Sequence, residues 1–284
     1  MEIEKKSWRH HYVQQFLLKG FLNEKNKLFV YDKIKDKILT ETQSTKSVMF
    51  EVDRNTITFE NGKQSSIIED TLLNHIDNIS SIIVKKFQSE KLPNHNLVTQ
   101  ENIAFFTFFV IDLFWRIPYS DSIVNHLIEN LLLDKKNYND LILNDAFRKQ
   151  IRTILYKETL KYKENLKRKE SEFSFNLFEV NNDIFVIGDN PIVYERKPDT
   201  FEELFDLDYC IAISSNRIVT STMNDVDKFT EMEGLDYNLA VISQSTRFVC
   251  SGDRTILESS IDYYKNCKDL NLENEFRLNL FQRK

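Results

Sequence analysis

Glycine and proline are scarce in this chain, 5 Gly and 4 Pro in 284 residues. Left-handed turns and long irregular connections draw on those residues, so the pattern predicts regular elements joined by short loops. It also excludes the glycine-rich phosphate cradles of P-loop and dinucleotide-binding folds, which need several glycines within a few positions. An apolar content of 41%, with 22 Phe and 11 Tyr, is enough for a substantial core. One unit spanning residues 1–284 is the expected organisation.

Acidic residues outnumber basic ones, 44 to 38, and the formal charge of −6 gives no global field that would gather polyanions. Cys210, Cys250 and Cys267 stand far apart, with no C-x-x-C spacing for zinc or redox chemistry. Met1 to Lys6 carry mixed charge and run into His and Gln without an apolar stretch. The expectation is a cytoplasmic protein with no secretory signal and no membrane partner. The Phe-rich run from Ile103 to Ile117 is short for a span of about 20 residues and is interrupted by Asp112 and Arg116. It reads as a central core helix closed by Pro118.

Around that helix the periodicity predicts a helical block over about 65–170. Ser66-Ile67-Ile68-Glu69 has capping-box spacing, and Ile68, Leu72, Ile76, Ile79, Ile83 and Phe87 follow at steps of three and four. Ser120 or Asp121 can cap a further helix, and Asn139 or Asp140 a longer one. That last helix ends in Lys161, Lys163, Lys167, Arg168 and Lys169, either a solvated helix end or a ridge facing nucleic acid.

Strand texture lies on both sides of the block. Lys27 to Asp32 is short and aromatic; after residue 170, Glu172 to Val180 and Ile184 to Ile187 look like a hairpin across Asn181-Asn182-Asp183. Tyr209 to Ser214 and Arg217 to Ser221 look like a second, with a strand at Thr246 to Cys250 after a helix over about 225–243. The predicted class is α+β, the helical block packed on a mainly antiparallel sheet built from an N-terminal strand and the strands of a β-rich part at 171–284.

Two segments concentrate groups capable of chemistry. Arg9-His10-His11-Tyr12-Val13-Gln14-Gln15-Phe16 sets two imidazoles beside two amides, and imidazole suits acid–base work or metal ligation near neutral pH. The same residues could anchor the N-terminus through Tyr12, Phe16 and Leu17. Gly188-Asp189-Asn190-Pro191 follows an apolar strand and places a carboxylate at a strand end, which also describes an ordinary turn. Arg116 lies four residues after Asp112, either an ion pair or the cation of an anion site. A faint D-x5-E-x-K string, Asp189, Glu195 and Lys197, has shorter spacing than metal-dependent nucleases need, and His75, His95 and His126 are isolated.

The run Arg9 to Phe21 resembles the H-Y-V-P-Q-F-Y-L-R-x-F opening of the bacterial family named domain of unknown function 4238. Gly188-Asp189-Asn190-Pro191-Ile192-Val193 is similar to its S-D-N-P-V-V segment, and weaker likenesses fall at Lys27 to Asp32, Arg116-Ile117-Pro118, Ile211 to Thr220 and Asn238. Gln14 departs from the pattern by standing where the motif has proline. The resemblance implies that His11, Gln15, Arg116, Asp189, Asn190 and Asn238 recur together, and the expectation is that they converge in one pocket between helices and sheet. The leading functional expectation is a hydrolase, a nuclease-like effector of bacterial defence or toxicity. In it His11 serves as acid–base, Asp189 as metal ligand or orienting carboxylate, and Arg116, Gln15, Asn190 and Asn238 bind substrate; a divalent metal is the candidate cofactor. The alternative is a non-catalytic sensor or interaction protein whose pocket binds a small ligand or a partner's peptide; a third reading makes both motifs structural clamps that tie the N-terminus to the sheet.

Overall fold

Strands from opposite ends of the chain pair with each other in the computed structural model. It describes residues 9–58, 64–66, 68, 73–89, 99–131, 145–165, 174–200, 203–222, 228–270, 272 and 275–281. Phe29–Asp32 lies antiparallel to Phe248–Ser251, in a four-stranded sheet ordered Lys37–Ile38, Phe29–Asp32, Phe248–Ser251, Ile187–Gly188. A second four-stranded sheet runs Ser174–Glu179, Arg217–Thr222, Tyr209–Ser214, Val193–Tyr194, again antiparallel throughout. The class is α+β, with the strands divided between these two sheets and two small ribbons.

The helical block comprises Asn74–Ser89, Gln100–Arg116, Ser120–Leu131 and Asp145–Asn165. Gln100–Arg116 begins where the Thr99 side chain accepts from the Asn102 amide. It stops at Arg116 because Pro118 forces Ile117 into extended geometry, ψ 149°. Its Phe106 ring stacks on Phe87 at 5.4 Å and meets Phe175 edge-on at 5.5 Å. One side chain thus ties the neighbouring helix to the second sheet, and burying each such ring stabilises the fold by roughly 1.5–3 kcal/mol. No single described helix is long and apolar enough to cross a membrane. The expected capping box at 66–69 and the helix start at Asn139 or Asp140 lie largely outside the described residues.

Two local expectations change. Ser174–Glu179 does not form a hairpin with the segment after Asp183; it pairs with Arg217–Thr222. The Ser215-Asn216 turn occupies the intervening space, its carbonyls accepting from the amides of Val180, Ile184 and Phe185. The C-terminal part is also more helical than its texture suggests, with Glu231–Gln244, Arg254–Asp269 and Glu275–Phe281 interleaved among the strands. Arg254–Asp269 starts on the Asp253 side chain, which accepts from Thr255 and Ile256 amides, and buries Leu257, Ser260, Ile261 and Tyr264 at helical spacing.

Candidate functional site

The opening motif forms the strand Arg9–His11, paired antiparallel with Phe50–Val52. Alternation along it buries His10 and turns His11 outward, half-buried. His10 Nδ1 accepts the Asn55 amide at 2.9 Å, which requires that nitrogen to be unprotonated. His11 Nε2 lies 3.1 Å from the Thr45 carbonyl, and a carbonyl only accepts, so Nε2 carries a proton. Gln15 Oε1 takes the Thr45 hydroxyl at 3.3 Å. His11 and Gln15 therefore converge on one residue, Thr45, at the start of the short 3-10 helix Thr45–Ser47.

Gln14 has φ −62°, the value a proline would impose. Its side-chain Nε2 donates to Asp112 at 2.7 Å across 98 residues of sequence. Asp112 is fully buried, bonded also by the Tyr156 hydroxyl and by Arg116 Nε. Arg116 is equally enclosed, held by Asp112, Asp77 and the Leu73 carbonyl. Burial works against its charge, but the Asp112 and Asp77 carboxylates outweigh that and raise its pKa above the ordinary arginine value. Arg116 serves here as the cation of a buried network, with its guanidinium turned inward.

Asp189 is 1% exposed. Its carboxylate accepts the Thr246 amide (2.8 Å), the Thr246 hydroxyl (2.9 Å), the Arg247 amide (2.7 Å) and the Phe248 amide (2.9 Å). Those donors start the Phe248–Ser251 strand, and the Asp189 amide returns a bond to the Phe248 carbonyl. The carboxylate is a clasp between two neighbouring strands. Asn238 does similar work one layer away, accepting from the Val186 amide and donating to the Ile184 carbonyl, so that helix Glu231–Gln244 holds the 184–187 segment. The opening motif and the Asp-Asn-Pro segment meet electrostatically through Tyr12: burial, then the charge of Asp189, pushes its phenol pKa up. Of the expected six, then, His11 and Gln15 come together, while Arg116, Asp189 and Asn238 each serve separate internal contacts.

Asn190 is different. Beside it opens a cavity of about 560 Å³ lined by Phe114, Tyr119, Tyr194, Gln244 and Arg277, among others. Phe114 meets Tyr119 and Tyr194 edge-on at 6.0 and 6.4 Å, giving an aromatic wall. Gln244 bonds the carbonyls of Asn190 and Ile192 through Nε2 and accepts from Arg277 through Oε1. Arg277 donates otherwise to the Tyr194 carbonyl at 2.6 Å. No carboxylate among the described residues pairs with it, and burial lowers its pKa. Two polar side chains of the lining, Asn190 at 6% and Tyr194 at 4% exposure, make no side-chain hydrogen bond to any described residue.

Arg277, Gln244, Tyr119 and Tyr194 were not singled out from the sequence. The signal for Arg277 was a lone base beside Phe276, in a helix that buries Phe276, Leu280 and Phe281. A second cavity of about 390 Å³ holds Arg54, Lys149 and Arg152, whose donors are already taken by Glu51, Asp121, Asn55 and backbone carbonyls. Among the described residues, no group of three or more His, Cys, Asp or Glu could hold a metal ion. The side chains of Lys161 and Lys163, like all of Lys167, Arg168 and Lys169, lie outside the described residues.

The family whose description reads "Protein of unknown function (DUF4238)" matches residues 9–255, and the chain belongs to it. No curated protein and no solved structure gives a significant match.

Proposed function

We propose that this chain is a non-catalytic binding protein whose cavity beside Asn190 takes a small organic anion. The observation that carries the reading is Arg277, half-buried at the cavity and without a carboxylate partner among the described residues. A cation drawn out of water and left uncompensated is costly, and a bound anion is the natural counter-charge. The volume suits a small molecule, and the lining joins an aromatic wall to three cationic side chains, Arg196, Lys197 and Arg277, against one carboxylate, Glu195. The hydrolase expectation asks more, since His11 and Asp189 would have to share a reacting centre, whereas Asp189 gives four acceptor contacts to the Thr246–Phe248 segment.

Thermal-shift screening against phosphates and carboxylates tests this. A ligand at 100 times its Kd adds about 2.7 kcal/mol of stability, so a true ligand raises Tm by several degrees, and Arg277→Ala abolishes that rise. Absence of any shift at millimolar anion would end the proposal. Turnover of a phosphoester by wild type that disappears in His11→Ala would return the hydrolase.

A further inference from the structure

The same cavity carries more than a counter-charge, and we infer that its ligand is a nucleoside monophosphate. Arg277 would hold the phosphate, and the Asn190 carboxamide, which bonds no described residue, would read the edge of a base seated against Tyr119 and Tyr194. This rests on the anion-binding reading above and narrows it.

Asn190 presents one donor pair and one acceptor side by side. Such an amide pairs bidentately with a heterocycle edge carrying an adjacent acceptor and donor, as nucleobases do and simple carboxylates do not. Its backbone is fixed on both sides before any ligand arrives. Asp189 is clasped by the Thr246–Phe248 segment, and Gln244 holds the carbonyls of Asn190 and Ile192 at 2.6 and 2.9 Å. The backbone that carries the carboxamide is therefore in place before a ligand binds, which lowers the entropic cost of binding. Tyr194, 4% exposed, lines the same cavity and makes no side-chain hydrogen bond to a described residue.

The aromatic side is complementary. Tyr119 is half-buried; Phe114 meets its ring at 6.0 Å, and the exposed Lys197 lies over the ring, Nζ 5.1 Å from the centroid. An ammonium at that place can move aside to a phosphate while a base takes the ring face. Arg277 has five N–H donors and gives one each to the Tyr194 carbonyl and Gln244 Oε1, which leaves N–H groups and the whole charge for a phosphate. In a chain with 5 Gly in all and no glycine-rich cradle, a side chain must supply that contact.

Calorimetric titration of the full chain with AMP, GMP, CMP and UMP, and with ribose 5-phosphate, separates the possibilities. The expected result is at least one nucleotide binding at least about tenfold tighter than ribose 5-phosphate, with Asn190→Ala removing most of that gap. Asn190→Ala deletes no bond to a described residue, and its melting curve checks that it folds. If ribose 5-phosphate binds as tightly as all four nucleotides, base reading is refuted while anion binding stands. If a nucleotide binds preferentially and Asn190→Ala changes nothing, the assignment of the edge reader is overturned. If none of the five binds, this inference fails, and whether other anions shift Tm decides the broader proposal separately.

Discussion

Replacing Asp189 by Asn alters a single atom pair in a carboxylate that takes four hydrogen bonds. Oδ2 alone accepts three of them, from the Thr246 hydroxyl and the amides of Arg247 and Phe248; Oδ1 accepts one, from the Thr246 amide. An asparagine must set its NH2 against one of these donor groups, losing that oxygen's bonds and adding a donor–donor clash. Bonds to a charged acceptor contribute about 1.5–3 kcal/mol each, and they do not add fully. Thr246 and Arg247 are exposed, so water recovers part of the loss. A net cost of about 2–4 kcal/mol follows. For a chain of this size that is a fall in Tm of about 5–12 °C, with the denaturant m-value unchanged. Urea unfolding of wild type and Asp189→Asn measures it. A variant within about 0.5 kcal/mol of wild type, the scatter of ordinary surface changes, would refute the clasp and restore Asp189 as a functional carboxylate.

Gly20→Ala should destabilise by at least about 1–3 kcal/mol, because a Cβ there would press on the Ile213 carbonyl and the Gln88 amide; an unchanged midpoint in chemical denaturation would mean the two segments separate readily. Stability should also fall at alkaline pH. Burial, then the Asp189 charge, raises the Cys250 thiol above its ordinary 9.0, and the buried phenols of Tyr12, Tyr194 and Tyr237 rise above 10.0 for burial first. Both chains are neutral at these groups below pH 9, so their full contribution is present there. Above about pH 9–10 the unfolded chain ionises first, and the contribution drains as pH climbs toward the folded values. Melting curves at about pH 8 and pH 10.5 check this, and an equal Tm at both would contradict it.

Periodicity and punctuation made much of this fold legible. Pro118 marked the end of the Phe-rich helix within one residue, and the aromatic run at Lys27 to Asp32 holds the strand Phe29–Asp32, whose β-branched and aromatic side chains suit a buried sheet. The partner of Ser174–Glu179 was not legible, since nothing local distinguishes the next strand in sequence from one that folds back 40 residues later. Of the candidate cavity, only Asn190 was legible. Asp189 and Arg116 look chemical in one dimension because buried charges are rare, yet the bonds that consume them come from Thr246 to Phe248 and from Asp77, far off in the chain. Arg277 was invisible for the converse reason: that no carboxylate among the described residues pairs with it is a property of space, and no spacing in the sequence records it.

The pairing of Phe29–Asp32 with Phe248–Ser251 sets an order of assembly. During synthesis the earlier strand leaves the ribosome more than 200 residues before its partner exists. It waits meanwhile with one edge open, joined only to the short Lys37–Ile38 segment. Loops of that span close slowly, and an exposed strand edge invites pairing with other nascent chains. The wait should make the yield of folded protein depend on elongation rate and on chaperones that cover such edges, more than its equilibrium stability would suggest.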